Sequence, residues 1–138
     1  MRKDVNYIVR QLVEKYKTND PFEIAAHKNI EVRFSDLGKT LGFFFSCYRT
    51  KFIHIHQSCN KSKQRFICAH ELGHAVLHPH LNTSFMKRIS LFNVHRVEME
   101  ANTFAMQLLL HNTNMIEGET KEQFCLRNDL PLELAKLL

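Results

Sequence analysis

The chain has 138 residues, of which 44% are hydrophobic, with eleven Phe, four Gly and three Pro; this suits one domain with an ordinary core and excludes a disordered segment. No apolar run approaches the roughly 18 to 20 residues that cross a bilayer, and the start at Met1-Arg2-Lys3-Asp4 carries no export pattern, so a cytoplasmic protein with no membrane partner is expected. The formal net charge of +5 comes from scattered residues such as Lys61, Lys63, Arg65, Lys87 and Arg88, without the dense basic stripe of a nucleic-acid reader, so direct nucleic-acid binding is not expected.

Val5, Ile8, Val9, Leu12, Val13 and Tyr16 recur at helical spacing and predict an amphipathic helix over 2–18. Asp20-Pro21-Phe22-Glu23 then opens a second, shorter helix, with Asp20 as cap, Pro21 in the first position and Glu23 reaching back in a capping box. Segments 30–35, 40–48 and 51–56, separated by Asp36-Leu37-Gly38-Lys39 and by Arg49-Thr50, predict strands in a small antiparallel meander. In the last strand Ile53 and Ile55 share one face and His54 and His56 the other.

Four cysteines, Cys47, Cys59, Cys68 and Cys125, lack the spacing of a zinc knuckle or redox motif and predict reduced thiols acting as small buried hydrophobes. Asn60 or Ser62 caps a third helix that runs to about His78 and stops at Pro79. A loop over 79–94, a fourth helix over 95–111 and a shorter helical tail over 120–138, broken near Pro131, complete one α+β domain without repeats.

The third helix carries His70-Glu71-Leu72-Gly73-His74. Residues four apart project from one helix face, so His70 and His74 can grip a single ion, and Glu71 stands beside it as a general base. Zinc in such a site lowers the pKa of water to about 7 and polarises a carbonyl, which makes peptide hydrolysis the natural chemistry. Gly73 in a helix interior costs about 1 kcal/mol against Ala, which suggests a close approach there.

A catalytic zinc needs a third protein ligand. Glu98 and Glu100 flank the apolar stripe Val97, Ala101, Phe104 and Leu108 almost symmetrically, so helical geometry does not choose between them. His80 would give a metzincin spacing, but Leu77 stands where that motif has glycine. His78, one turn beyond His74, fits better as a neighbour that orients the site. Tyr48, His54, His56 and His78 are candidates for stabilising an oxyanion.

With both helices in view, the chain resembles the ImmA/IrrE family of metallopeptidases. The similarity runs from the strand at 52–56 through Arg65-Phe66-Ile67-Cys68-Ala69-His70-Glu71-Leu72-Gly73-His74-Ala75-Val76-Leu77-His78. It resumes at Glu100-Ala101-Asn102-Thr103-Phe104-Ala105 and Leu108 to Leu110. The resemblance implies a zincin-like fold, with a small antiparallel sheet packed on the active-site helix. It also implies a zinc cofactor held by His70, His74 and Glu100, the Glu directly before Ala-Asn, with Glu71 catalytic. Small members of the family resemble anti-repressors of phages and mobile elements, which implies an endopeptidase that cleaves a helix-turn-helix repressor. The competing expectation is a zinc-containing anti-repressor that inactivates its partner by binding without cleavage.

Overall fold

The computed structural model describes residues 4–82 and 94–138. In chain order it contains helices α1 (Val5–Tyr16) and α2 (Pro21–His27), then strands β1 (Ile30–Ser35), β2 (Gly42–Cys47) and β3 (Thr50–His56). Helices α3 (Lys61–Leu77), α4 (Val94–Leu109) and α5 (Lys121–Arg127) follow, and a 3-10 turn (Leu132–Leu137) closes the chain. Residues 1–3, most of the loop expected over 79–94, and Lys87 and Arg88 with it, lie outside the described residues. Among the described residues no helix is long and apolar enough to cross a membrane.

Short polar side chains set the helix starts. Asp4 accepts from the Tyr7 N–H at 3.2 Å, Asp20 from Phe22 at 2.9 Å and Asn60 from Lys63 at 2.8 Å, each satisfying a donor that the first turn leaves without an intrahelical partner. The capping box expected at Glu23 is replaced: the Asp20 N–H donates to Thr18 Oγ1 at 3.0 Å. A reciprocal box forms instead on α5, between Thr120 and Gln123. Pro131 separates α5 from the 3-10 turn, as its position in the tail implies.

The sheet departs from the antiparallel meander. Its strand order is β1-β3-β2, with β2 antiparallel to β3 and β1 parallel to it. The segment 36–41 carries the chain across the end of β3: the His56 N–H donates to the Leu41 carbonyl and the Gln57 N–H to that of Ser35. Six residues suffice, because the skipped strand leaves a gap of only about 10 Å, twice the strand spacing. Tyr48, in the left-handed region at φ 57°, makes the tight β2–β3 turn. Ile53 and Ile55 are buried and His54 and His56 point to the opposite face, as alternation requires.

Helix α3 packs against β2 and β3, α2 and α4. It therefore buries residues around much of its circumference, including Ile67, Cys68, Leu72, His74 and Leu77. The core gathers around it from Ile24, Phe44, Ile53, Ile55, Phe104 and Leu108, all fully buried. All four cysteines are free; Cys68 and Cys125 are buried as expected, but Cys47 at the end of β2 is exposed. Burial, with the negative charges of Asp20 and Glu71 beside it, pushes the Cys68 thiol above its ordinary pKa.

Two glycines record close approaches at this helix. A Cβ on Gly73 would lie 3.0 Å from Phe104 Cδ1, so the glycine lets the fully buried Phe104 ring of α4 settle on α3. A Cβ on Gly42 would lie 2.5 Å from Ile67 Cγ2 and 2.8 Å from the His54 carbonyl oxygen. Gly42→Ala should accordingly destabilise the fold by about 1 to 3 kcal/mol, the usual cost of overpacking. Denaturant unfolding should show a lower midpoint at unchanged slope; an unshifted midpoint would mean that β2 has more freedom over α3 than this packing allows.

Candidate metal centre

His70 and His74 project from one face of α3 and turn their Nε2 atoms together, 3.2 Å apart. The Glu98 carboxylate of α4 closes on both. Its Oε1 lies 2.8 Å from His74 Nε2 and its Oε2 lies 3.3 Å from His70 Nε2. One ligand atom from each of these three residues falls within a 4.8 Å cluster, the only such group of three potential metal ligands among the described residues.

The donor set fits zinc. Two ligand atoms at the usual distance of about 2.0 to 2.1 Å and a tetrahedral angle lie about 3.3 Å apart, close to the 3.2 and 3.3 Å separations at His70, while the 2.8 Å between His74 Nε2 and Glu98 Oε1 is shorter. The outer nitrogens support the same orientation. His70 Nδ1 lies 2.8 Å from Asn102 Oδ1, which accepts the Nδ1 proton and so makes Nε2 the nitrogen that would turn its lone pair to a cation.

Electrostatics separates the three groups. Burial opposes the charge on Glu98, but hydrogen bonds with His70 and His74 and their charges outweigh it and hold the carboxyl well below the usual range. Burial, with the charges of His70 and His78, outweighs the pull of Glu98 on His74 and holds its pKa below the ordinary value. Burial acts the same way on His70, but the Glu98 hydrogen bond, the Glu71 and Glu98 charges and Asn102 more than offset it, so its pKa is raised.

Glu71 is buried, with Oε2 4.0 Å from His70 Nε2. It lines a cleft of about 340 Å³ together with His70, Asn102, Phe66 and the segment Lys39 to Gly42 that leads into β2. A carboxylate beside the histidine cluster and open to a cleft is placed to exchange a proton with water or substrate there.

The geometry departs from the resemblance at the third carboxylate. Glu100 does not join the cluster; its Oε1 lies 3.0 Å from His78 Nε2, and His78 Nδ1 lies 3.1 Å from His74 Nδ1. Two residues along a helix rotate a side chain by about 200°, so Glu98 and Glu100 reach different partners. His80 is exposed in the turn after Pro79. The oxyanion candidates also fall elsewhere: Tyr48 is fully exposed, His54 stacks on Phe43 with ring centroids 4.6 Å apart, and His56 lies beside Ser58 and Asp36. His78 lies behind His74, away from the His70 side that borders the cleft. Asn102 is the site residue that sequence reasoning missed; its signal was its place four residues after Glu98, on the same helix face.

A histidine pair and a carboxylate from two packed helices, beneath a small sheet, place the chain among zincin-like metallopeptidases. The Peptidase M78 family model, described as an IrrE N-terminal-like domain, matches residues 25–136. Immunity region protein 2 of Bacillus phage phi105 is 42% identical over 134 residues, covering 94% of this chain and 85% of the phage protein. The metallopeptidase ImmA of Bacillus subtilis strain 168 is 30% identical over 135 residues, covering 94% of this chain and 80% of that protein. No solved structure matches. The chain belongs to the ImmA/IrrE family of metallopeptidases.

Proposed function

We propose that the chain is a single-domain, zinc-dependent endopeptidase of the cytoplasm, with His70, His74 and Glu98 as metal ligands, Glu71 as general base and a helix-turn-helix repressor as substrate. The observation that carries this reading is the Glu71 carboxylate in the cleft, 4.0 Å from a histidine nitrogen of the three-residue cluster. When bound, the metal supplies Lewis acidity and a water acidified to about pKa 7. Glu71 takes the proton of the attacking water and delivers it to the departing amine. Glu98, held ionised, balances the cation's charge, and Asn102 fixes the ring of His70. The name of the phi105 relative, an immunity-region protein, supports a substrate among the repressors of phages and mobile elements.

The cleft also limits the substrate's shape. The cleft lies between α3 and the segment Lys39 to Gly42 that leads into the edge strand β2, and an extended peptide can pair its backbone with such an edge. The scissile bond therefore lies in an extended linker of the repressor, and surfaces outside the cleft hold the remainder. Incubation with a helix-turn-helix phage repressor that is the substrate should give two fragments that chelation suppresses, with the cut between packed elements. The isolated linker peptide should be cut less efficiently than the intact repressor. Release of the operator without fragments would replace cleavage with sequestration; a cut inside a stable helix would remove the extended-linker model.

A further inference from the structure

The ligand set proposed above leaves Glu100 and His78 without a catalytic part, yet both are tied to the centre. His78 is 9% exposed at the C-terminal end of α3, with Nε2 3.0 Å from Glu100 Oε1 and Nδ1 3.1 Å from His74 Nδ1. His74, fully buried, faces Glu98 and His70 through its other nitrogen.

When a cation takes the lone pair of His74 Nε2, one proton arrangement satisfies the row Glu100–His78–His74. A carboxylate only accepts, so His78 Nε2 carries a proton and donates to Glu100. Neutral His78 then presents a lone pair at Nδ1, which accepts from His74 Nδ1–H. His74 Nε2 is left as a lone pair facing the point where His70 and Glu98 converge. We propose that Glu100 and His78 form a relay that fixes the tautomer and ring orientation of His74, making both of them positioning residues for the metal.

The arrangement extends a recurrent device. A metal-binding histidine usually donates its outer N–H directly to a carboxylate, carbonyl or water. Here a second imidazole stands between, because the outer edge of His74 faces the last turn of α3 and Glu100 reaches only as far as His78. His70 has a shorter support, the single Asn102 side chain.

The inference rests on His74 being a ligand and on Glu98, not Glu100, completing the set; the test separates the two levels. Zinc stoichiometry at saturation and zinc affinity against a chromophoric chelator are measured for the full chain and for Glu98→Ala, Glu100→Ala, His78→Leu and His78→Gln. The relay predicts one zinc per chain in both Glu100→Ala and His78→Leu, with affinity reduced about 10- to 100-fold. His78→Gln, which can both accept and donate, should recover most of that loss. Long-range ¹H–¹⁵N spectra of the zinc-loaded native protein should show His78 protonated at Nε2 alone and His74 at Nδ1 alone, a readout that survives even if His78→Leu fails to fold. His78 protonated at Nδ1, or unchanged zinc affinity in His78→Leu and Glu100→Ala while Glu98→Ala loses the metal, overturns the relay and leaves the ligand set standing. Loss of stoichiometric zinc in Glu100→Ala with retention in Glu98→Ala overturns the ligand set and the relay together.

Discussion

Glu71→Gln is expected to abolish peptide cleavage while leaving the metal centre loaded. The substitution keeps the size of a buried side chain, so the packing of α3 against β2 is retained, and removes the negative charge and with it the capacity to take a proton. Glu71 stands 4.0 Å from His70 Nε2 and lines the cleft, outside the three-residue cluster. Loss of a general base lowers rates by about 10²- to 10⁴-fold. The variant should therefore retain one zinc per chain and an unchanged affinity for the repressor, with cleavage reduced at least about 100-fold. Cleavage near the native rate would remove Glu71 from the chemistry, and loss of zinc would make it a ligand.

Glu98→Ala is expected to have the largest effect on metal. It removes the one carboxylate that touches both histidines, at 2.8 and 3.3 Å, and leaves two neutral donors for a doubly charged ion. Zinc affinity should fall by more than the roughly 100-fold that marks the upper range for losing an outer partner, and activity should fall with it. Glu100→Ala should stay within that range. Elemental analysis of the two proteins after gel filtration distinguishes them: metal-free Glu98→Ala beside loaded Glu100→Ala is the expected pair. The reverse pair would restore Glu100 to the role that the family resemblance assigned to it.

This carboxylate shows where sequence reasoning ended. The face shared by His70 and His74 was legible because a helix period fixes it within one element. The same holds for the caps at Asp20 and Asn60, the stop at Pro79 and the inward Ile53 and Ile55. Glu98 and Glu100 lie on either side of an apolar stripe, and which of them reaches the histidines depends on how α4 lies across α3. That register is set by tertiary contacts, Phe104 against Gly73 and Asn102 against His70. The Glu98-to-Asn102 spacing of four was present in the sequence, but its meaning required knowing that Asn102 meets His70.

The sheet follows the same logic. Alternating burial is identical in parallel and antiparallel strands, so the pattern of Phe52 to His56 fixed the faces without fixing neighbours. Placing β3 in the centre depended on a six-residue segment crossing its end, held by the Leu41 and Ser35 carbonyls. That crossing brings the start of β2 to the cleft and puts Gly42 over Ile67, close to Glu71. Gly42 was legible as a strand residue; its close contact with α3 was not.

Diffraction from zinc-loaded crystals, collected on both sides of the zinc absorption edge, would decide whether His70, His74 and Glu98 build the metal centre. One anomalous peak per chain is expected within about 2.0 to 2.2 Å of His70 Nε2, His74 Nε2 and a Glu98 oxygen, with Glu100 on His78. A peak coordinated by Glu100 or His78, with Glu98 turned away, would contradict it.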